Sequence, residues 1–281
     1  MDVRDLTGKQ VLVTGAASGI GKETALACAR RGANLVICDL DAVGLSDVEK
    51  TIHELGRDVI ASRVDVSDAE QMRAFAEAVH GQIEAPDILV NNAGVAIGGR
   101  FQDTSIEDWN WIVGINLMGV VHGCHHFIPK MVERGRGGHV VIVASAAGYS
   151  ASSNLAAYNA TKFAVLGLGE ALQDELRGDG IGVTVICPGI IDTPITRSAR
   201  LRGEIGTDKA RERMVAAYRK RNYTPARVAG NILKAIGRNR VVAPISAEAW
   251  LMYYLKRFAP WLMRRLNVLL SNIQKRQLND D

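Results

Sequence analysis

Residues 10–21 read QVLVTGAASGIG, and the residues that follow continue a helical pattern to about position 31. An apolar, β-branched run that ends in a glycine-rich turn and enters a helix has a physical use. The helix N-terminus offers free backbone N–H groups and the positive end of its dipole, and glycine lets a pyrophosphate come close to the backbone. The spacing of Gly15, Gly19 and Gly21 is weak by itself. Its position between a strand and a helix, with Asp39 about 20 residues on at the end of the next strand, says more. A carboxylate there accepts both hydroxyls of an adenosine ribose and repels a 2′-phosphate, which favours NAD over NADP. Ser18 before Gly19 and Leu40 after Asp39 agree, since neither is basic. The competing role for Asp39 is a helix N-cap ahead of 41–55.

Outward from this turn, short apolar runs alternate with amphipathic stretches to about residue 190, which predicts a parallel sheet covered by helices on both faces. The strands are read at 10–14, 34–39, 58–64, 88–91, 139–144 and 182–187. Helices are read near 20–31, 42–55, 68–82, 105–133 and 155–178, with a later one at 225–237. The 281 residues are 47% hydrophobic and 23% charged, the composition of a globular chain, and no repeat or low-complexity linker divides them. The expectation is one domain over 1–245 with an extension over 246–281.

The net charge of +4 conceals an asymmetry. Residues 1–195 hold 15 Lys/Arg against 24 Asp/Glu, residues 196–240 hold 13 against 3, and residues 250–281 hold 6 against 2. Four scattered cysteines form no CxxC pair and read as reduced, buried thiols of a cytoplasmic protein. The N-terminus lacks the apolar core of a secretory signal, and no uninterrupted apolar run reaches the roughly 18 to 20 residues of a spanning helix. Attachment to a membrane surface stays open.

Tyr158-Asn159-Ala160-Thr161-Lys162 falls in a helix pattern, so Tyr158 and Lys162 project from one face. A phenol with a pKa of about 10 is a poor base at neutrality. An ammonium about 4 Å away favours the phenolate by roughly 4 kcal/mol at an effective dielectric near 20, about three pKa units, which would bring it close to neutrality.

With these motifs in family order across residues 9–195, the sequence resembles the short-chain dehydrogenase/reductase family. The matching features are the TGxxxGxG of Thr14 to Gly21, Asp65-Val66, Asn91-Asn92-Ala93-Gly94, Asn116, Ser145, Tyr158 with Lys162, and Pro188-Gly189 with Thr193. The resemblance implies a single Rossmann-type, doubly wound α/β fold of about seven strands. It implies Tyr158 as general acid/base, Ser145 as hydrogen-bond partner of the substrate oxygen, Lys162 lowering the Tyr158 pKa and binding ribose, and Asn116 holding a relay water. It further implies Gly15, Ser18, Gly19, Ile20 and Gly21 at the pyrophosphate, and Asp65 and Val66 at adenine. Asn92, Ala93 and Gly94 would run beside the adenosine, and Pro188, Gly189, Ile191 and Thr193 would flank the nicotinamide. The same resemblance makes 195–223 a lid over the substrate and suggests a homodimer or homotetramer.

His122, His125 and His126 crowd one helix, but no HExxH pattern accompanies them, so packing or interface roles are expected rather than a metal site. The basic lid is either a solvated helix face or a receptor for an acidic substrate handle or surface. Nucleic acid is not expected, because aromatic interleaving and binding motifs are missing. Past residue 245, Leu251, Tyr254, Leu255 and Phe258 form one apolar stripe. Leu262, Leu266, Leu269, Leu270 and Ile273 form a second, and Pro260 breaks the helix between them. These helices could pack on a partner subunit or over the substrate mouth, attach peripherally to a membrane through 246–274, or form a disordered tail. The expected activity is an NAD-dependent interconversion of an apolar secondary alcohol and its ketone, on a steroid, retinoid or acyl-chain-like substrate. The alternatives are a 3-oxoacyl thioester reductase and a non-catalytic nucleotide-binding scaffold.

Overall fold

In the computed structural model, which describes the backbone of residues 2–279 and the side chains of residues 2–269, the strands that carry the glycine turn lie at the middle of a sheet. The strands are β1 (Gln10–Thr14), β2 (Asn34–Asp39), β3 (Val59–Arg63), β4 (Ile88–Asn91), β5 (Ile97–Gly98), β6 (Gly138–Val143), β7 (Ile181–Pro188), β8 (Arg200–Leu201) and β9 (Val242–Ile245). Seven of them form one parallel sheet in the order β3-β2-β1-β4-β6-β7-β9, while β5 and β8 pair separately. Strand order reverses between β1 and β4. At such a point the connections leave in opposite directions, and the carboxyl ends of the strands bound a crevice.

The helices are α1 (Gly19–Ala29), α2 (Ala42–Glu54), α3 (Ala69–His80), α4 (Ile106–Val113), α5 (Gly119–Arg134), α6 (Ala156–Glu175), α7 (Ile195–Ser198), α8 (Asp208–Arg221), α9 (Pro225–Gly237), α10 (Ala247–Phe258) and α11 (Pro260–Asn279). The two-residue period of the strands sorts their apolar side chains between two layers. Val11, Val13, Val141 and Val143 pack with α1 and α9 through Ala25, Leu26, Ile232 and Ile236. Leu12, Leu89, Val140 and Ile142 face the other way, against Met72, Phe75, Phe127 and Val165 of α3, α5 and α6.

The structure departs from the sequence reading in two places. The seventh strand, β9, was not located from sequence: it is four residues long and contains Pro244, a residue that suits only a sheet edge, where β9 lies. The helix expected over 105–133 is interrupted by a π turn at Gly114–Met118, which shifts the register around Asn116. The whole stretch Ile106–Arg134 is long and apolar enough to cross a bilayer, although Asn116 and three histidines interrupt its apolar run, and Phe127, Ile128 and Met131 are buried in the core.

For the extension the sequence left three placements open, and the structure turns most of the first apolar stripe away from the body. Leu251, Tyr254 and Phe258 are exposed, while Ala249, Met252 and Tyr253 pack on the body. Tyr149 holds that packing by donating its hydroxyl to Ala249 O at 2.8 Å. On α11 the buried residue is Met263, not Leu262, Leu266 or Leu269; the side chains of Leu270 and Ile273 lie outside the described residues.

Candidate active site

The turn after β1 is shaped by what a side chain would strike. A Cβ on Gly15 would stand 2.7 Å from Ala93 Cα, and one on Gly21 would run into Gly15 O and Asn92 Nδ2. Gly15 also has φ +66°, in the region that favours glycine. Asn92 ties the two loops together: its Nδ2 donates to Thr14 O at 2.9 Å and Gly15 O at 3.0 Å, and Thr14 Oγ1 accepts from Asn92 N and Ala93 N. Ser18 at the N-cap of α1 is extended and makes no side-chain cap hydrogen bond, and the first turn carries no acid. The helix end therefore presents unpaired N–H donors to the crevice, a fit for pyrophosphate. Gly19 brings this turn against Thr193 and Pro194, so the first loop and the loop after β7 meet across the crevice. Ile20 packs on the core beside it.

Asp39 is not the cap of α2. That role falls to Asp41, whose carboxylate accepts from Val43 N and Gly44 N. Asp39 instead accepts from Ala17 N at 2.9 Å and Asp41 N at 3.0 Å, one bond to each oxygen, which orients the carboxylate and leaves each oxygen a free lone pair. Arg63, the register partner of Asp39 on β3, donates to Leu40 O, a nearby cation that the sequence reading overlooked. Farther along, Asp65 is held by Ser67, and Val66 is buried with its carbonyl bonded to His122 Nδ1. That bond gives His122 a packing role, and no cluster of three metal-ligating side chains occurs among the described residues.

At the other side of the crevice, Ser145 follows β6, and Tyr158 and Lys162 stand on α6. Lys162 is buried and donates to Val143 O at 3.0 Å. Asn116 is fully buried, with Oδ1 accepting from Val95 N and Nδ2 donating to Val95 O and Thr161 Oγ1. Both converge on Gly94: a Cβ there would lie 3.2 Å from Asn116 Oδ1 and 3.5 Å from Lys162 Nζ. Burial pushes Tyr158 up to about 12 despite the hydrogen bond to Ser145, and pushes Lys162 down to about 8. The near-neutral phenol expected from the YxxxK spacing is thus not a property of the protein alone. Lys162 Nζ sits 5.8 Å from the Tyr158 ring centre and is directed at a carbonyl, so desolvation outweighs its charge.

Three features of the site were not read from sequence. Tyr218 of α8 reaches close enough to Tyr158 to raise its pKa further. Val95, Ile97, Trp109 and Trp111 form an apolar wall against Tyr158. Glu248 of α10 accepts from Ile190 N and from Arg221, joining the loop after Pro188 and Gly189 to the end of α8, while Ile191 and Thr193 are buried beside it. Remote spacing hides all three, because only the packing of β5 and α4, of α8 and of α10 brings them there.

The segment expected to be a lid uses much of its positive charge internally. The buried carboxylate of Asp108 takes Arg202 in a two-bond fork of 2.7 and 2.8 Å and Arg200 at 3.3 Å, and Arg200 also lies 3.6 Å over the Trp111 ring. Arg211 donates to Arg197 O and Ala199 O.

A parallel sheet reversing beside a glycine turn, with an uncapped helix end and a Ser-Tyr-Lys group across the crevice, defines a dinucleotide-binding oxidoreductase fold. The short chain dehydrogenase family profile matches residues 9–203. The chain belongs to that family. It is 41% identical over 267 residues to a Mycobacterium tuberculosis protein named "Probable oxidoreductase EphD", covering 92% of this chain but 45% of the relative, so it spans about half that protein's length. It is 40% identical over 197 residues to D-threitol dehydrogenase of Mycolicibacterium smegmatis, covering 69% and 74% of the two chains. Among solved structures, a short chain dehydrogenase/reductase from Burkholderia phymatum in complex with NAD superposes with a TM-score of 0.79 at 34% identity, covering 87% and 90%.

Proposed function

We propose that the chain is an NAD-dependent dehydrogenase/reductase that interconverts a secondary alcohol and a ketone on an apolar substrate. The observation that carries this reading is Tyr158, placed between Ser145 and the apolar wall of Val95, Ile97 and Trp111 at the mouth of the nucleotide crevice. Ser18, Gly19 and Ile20 with the α1 N-terminus would hold the pyrophosphate, Asp39 the adenosine ribose, and Asn92, Ala93 and Gly94 the adenosine edge. Asp65 and Val66 would border the adenine; Pro188, Gly189, Ile191 and Thr193 would flank the nicotinamide. The bound cofactor supplies the hydride acceptor or donor.

The proton is the protein's task. A Tyr158 hydroxyl protonated at neutrality is ready to donate to a substrate oxygen that Ser145 orients, and the Lys162 ammonium, 5.8 Å from the Tyr158 ring, would favour the phenolate left behind. Asn116 and its partner Thr161 brace that end of α6, with Thr161 Oγ1 donating to Tyr158 O. NAD rather than NADP is supported by the two open lone pairs of Asp39, although Arg63 stands one strand away. An acidic handle on the substrate is less well supported, because Asp108 and backbone carbonyls already engage the arginines nearest the site.

The test is turnover of a panel of steroid, retinoid and fatty alcohols and hydroxyacyl thioesters with NAD, using wild type and Tyr158→Phe. The variant should lose about 10²- to 10⁴-fold in kcat while binding NADH unchanged. Equal turnover in the two proteins would overturn the assignment of Tyr158 as the acid/base.

A further inference from the structure

Exposed large apolar side chains are scattered over the body, from Leu40 and Val43 to Phe101 and Ile106, but on the extension they cluster. Leu251, Tyr254 and Phe258 of α10 are 60%, 51% and 75% exposed, and Trp261, Val268 and Leu269 of α11 are 60%, 60% and 56% exposed. Leu251, Tyr254 and Phe258 follow one another at helical spacing before the Ala259 break, and Trp261, Val268 and Leu269 lie on the next helix, giving the extension an exposed apolar face of a kind a wholly solvated surface seldom carries. Lys256, Arg257, Arg264 and Arg265 flank it, exposed and with no carboxylate partner among the described residues. Arg265 stands 5.6 Å over the Trp261 ring.

The face continues into a basic recess. Between α9, β9 and α10 lies an open cavity of about 640 Å³ whose lining includes Arg227, Lys234, Arg238, Arg240, Tyr223 and Trp250. None of its first four side chains forms an ion pair among the described residues. Arg240 lies 5.4 Å from the Trp250 ring, Trp250 stacks on Tyr254 at 5.5 Å, and Tyr254 stacks on Phe258 at 6.2 Å. The recess and the apolar face are therefore one surface, with aromatic rings between a cationic end and an aliphatic end.

We propose that this surface docks on an anionic lipid bilayer. Aromatic rings with one wet edge, aliphatic residues beyond them and unpaired cations at the margin match the headgroup, acyl boundary and surface charge of such a membrane. A second copy of the chain fits less well. The only carboxylate among residues 246–269 is Glu248, already bound to Arg221, so a two-fold contact through this face would set cations against cations. Docking is also connected to the site. Asn267 of α11 donates to Ala151 O at 2.8 Å in the segment between β6 and α6, and Glu248 ties α10 to α8, so the docked helices adjoin the substrate mouth. The docking does not depend on the reaction proposed above.

The experiment is flotation of the full chain with phosphatidylcholine vesicles and with vesicles that also contain phosphatidylglycerol. Light scattering, melting temperature and NADH binding are followed in parallel. Wild type should float with the phosphatidylglycerol vesicles and lose binding as salt rises. Tyr254→Ser/Phe258→Ser/Trp261→Ser should abolish flotation, and Arg238→Ala/Arg240→Ala should weaken binding to anionic vesicles by about tenfold or more, each with melting and NADH binding kept. Wild type that ignores anionic vesicles overturns the proposal. So does an aromatic variant that dissociates from a dimer to a monomer while wild type stays off vesicles, since the face would then be a subunit interface.

Discussion

Residues 1–195 carry a net −9 and contain the glycine turn and the Ser145, Tyr158 and Lys162 group, whereas residues 196–240 carry a net +10 and run from α7 through α9. Without net positive charge, the acidic region still offers an anion the backbone N–H groups at the uncapped end of α1, beside a glycine turn packed on Asn92. In the basic region the counterions decide. Arg200 and Arg202 are drawn to Asp108 and Arg221 to Glu248, while Arg227, Lys234, Arg238 and Arg240 line a recess without carboxylates. The sum of charges located neither the crevice nor the free cations; the placement of hydrogen-bond partners did. Short-range directional bonds outlast screening, and a regional surplus does not.

The contrast can be broken most severely in the acidic region. Gly21→Ala drives a methyl group into Gly15 O and Asn92 Nδ2 and should destabilise the fold by about 3 kcal/mol, with loss of NADH binding; calorimetry and a fluorescence titration report the two effects. Acid should act on the same region. Buried His139, bonded to Thr184 Oγ1 at 2.8 Å, is held down to about 4 by burial, against an ordinary 6.5. Its contribution is complete above pH 6.5 and is lost as pH falls towards 4, because the unfolded chain takes up the proton first. The loss should total about 3 kcal/mol in chemical denaturation, and His139→Gln should flatten the dependence.

A smaller effect is expected at the seam between the regions. Asp108→Asn weakens the fork to Arg202, whose side chain is 41% exposed, so about 2 kcal/mol or less is at stake. Substrate KM should rise with NADH affinity unchanged, and a matching loss of NADH affinity would show that the regions are not separable in this way. The mildest is Asp39→Ala, for which the preference for NAD over NADP should fall by about tenfold, about 1.4 kcal/mol, in paired cofactor titrations. An unchanged ratio would shift the ribose contact away from Asp39.

Legibility followed the range of the interactions. The boundaries of β1, β2 and β4 agree with the sequence reading because each is a continuous apolar run closed by polar or glycine residues. The glycine turn, Asp39, Asn92 and the Tyr158–Lys162 pair were likewise visible as local patterns. Pro244 hid β9, and a one-residue change of helical register hid the π turn at Asn116, since periodicity averages over such events. The placement of the extension stayed open for a different reason. Both faces of α10 carry apolar residues, and hydrophobicity cannot say which one the body takes; the Tyr149 hydroxyl at Ala249 O and the Tyr149–Tyr253 ring contact settle it.

By itself, the sequence determined the order of six of the seven sheet strands, the glycine turn, and the residue types able to transfer a proton, because these depend on neighbours three to five residues away or on a strand's own apolar run. Only the tertiary structure decided that Lys162 is buried and directed at Val143 O, that Tyr218 and Glu248 reach the site, and that Tyr254 and Phe258 face outward. Desolvation and long-range packing depend on which surfaces meet, and that is set by the whole fold rather than by any stretch of the chain.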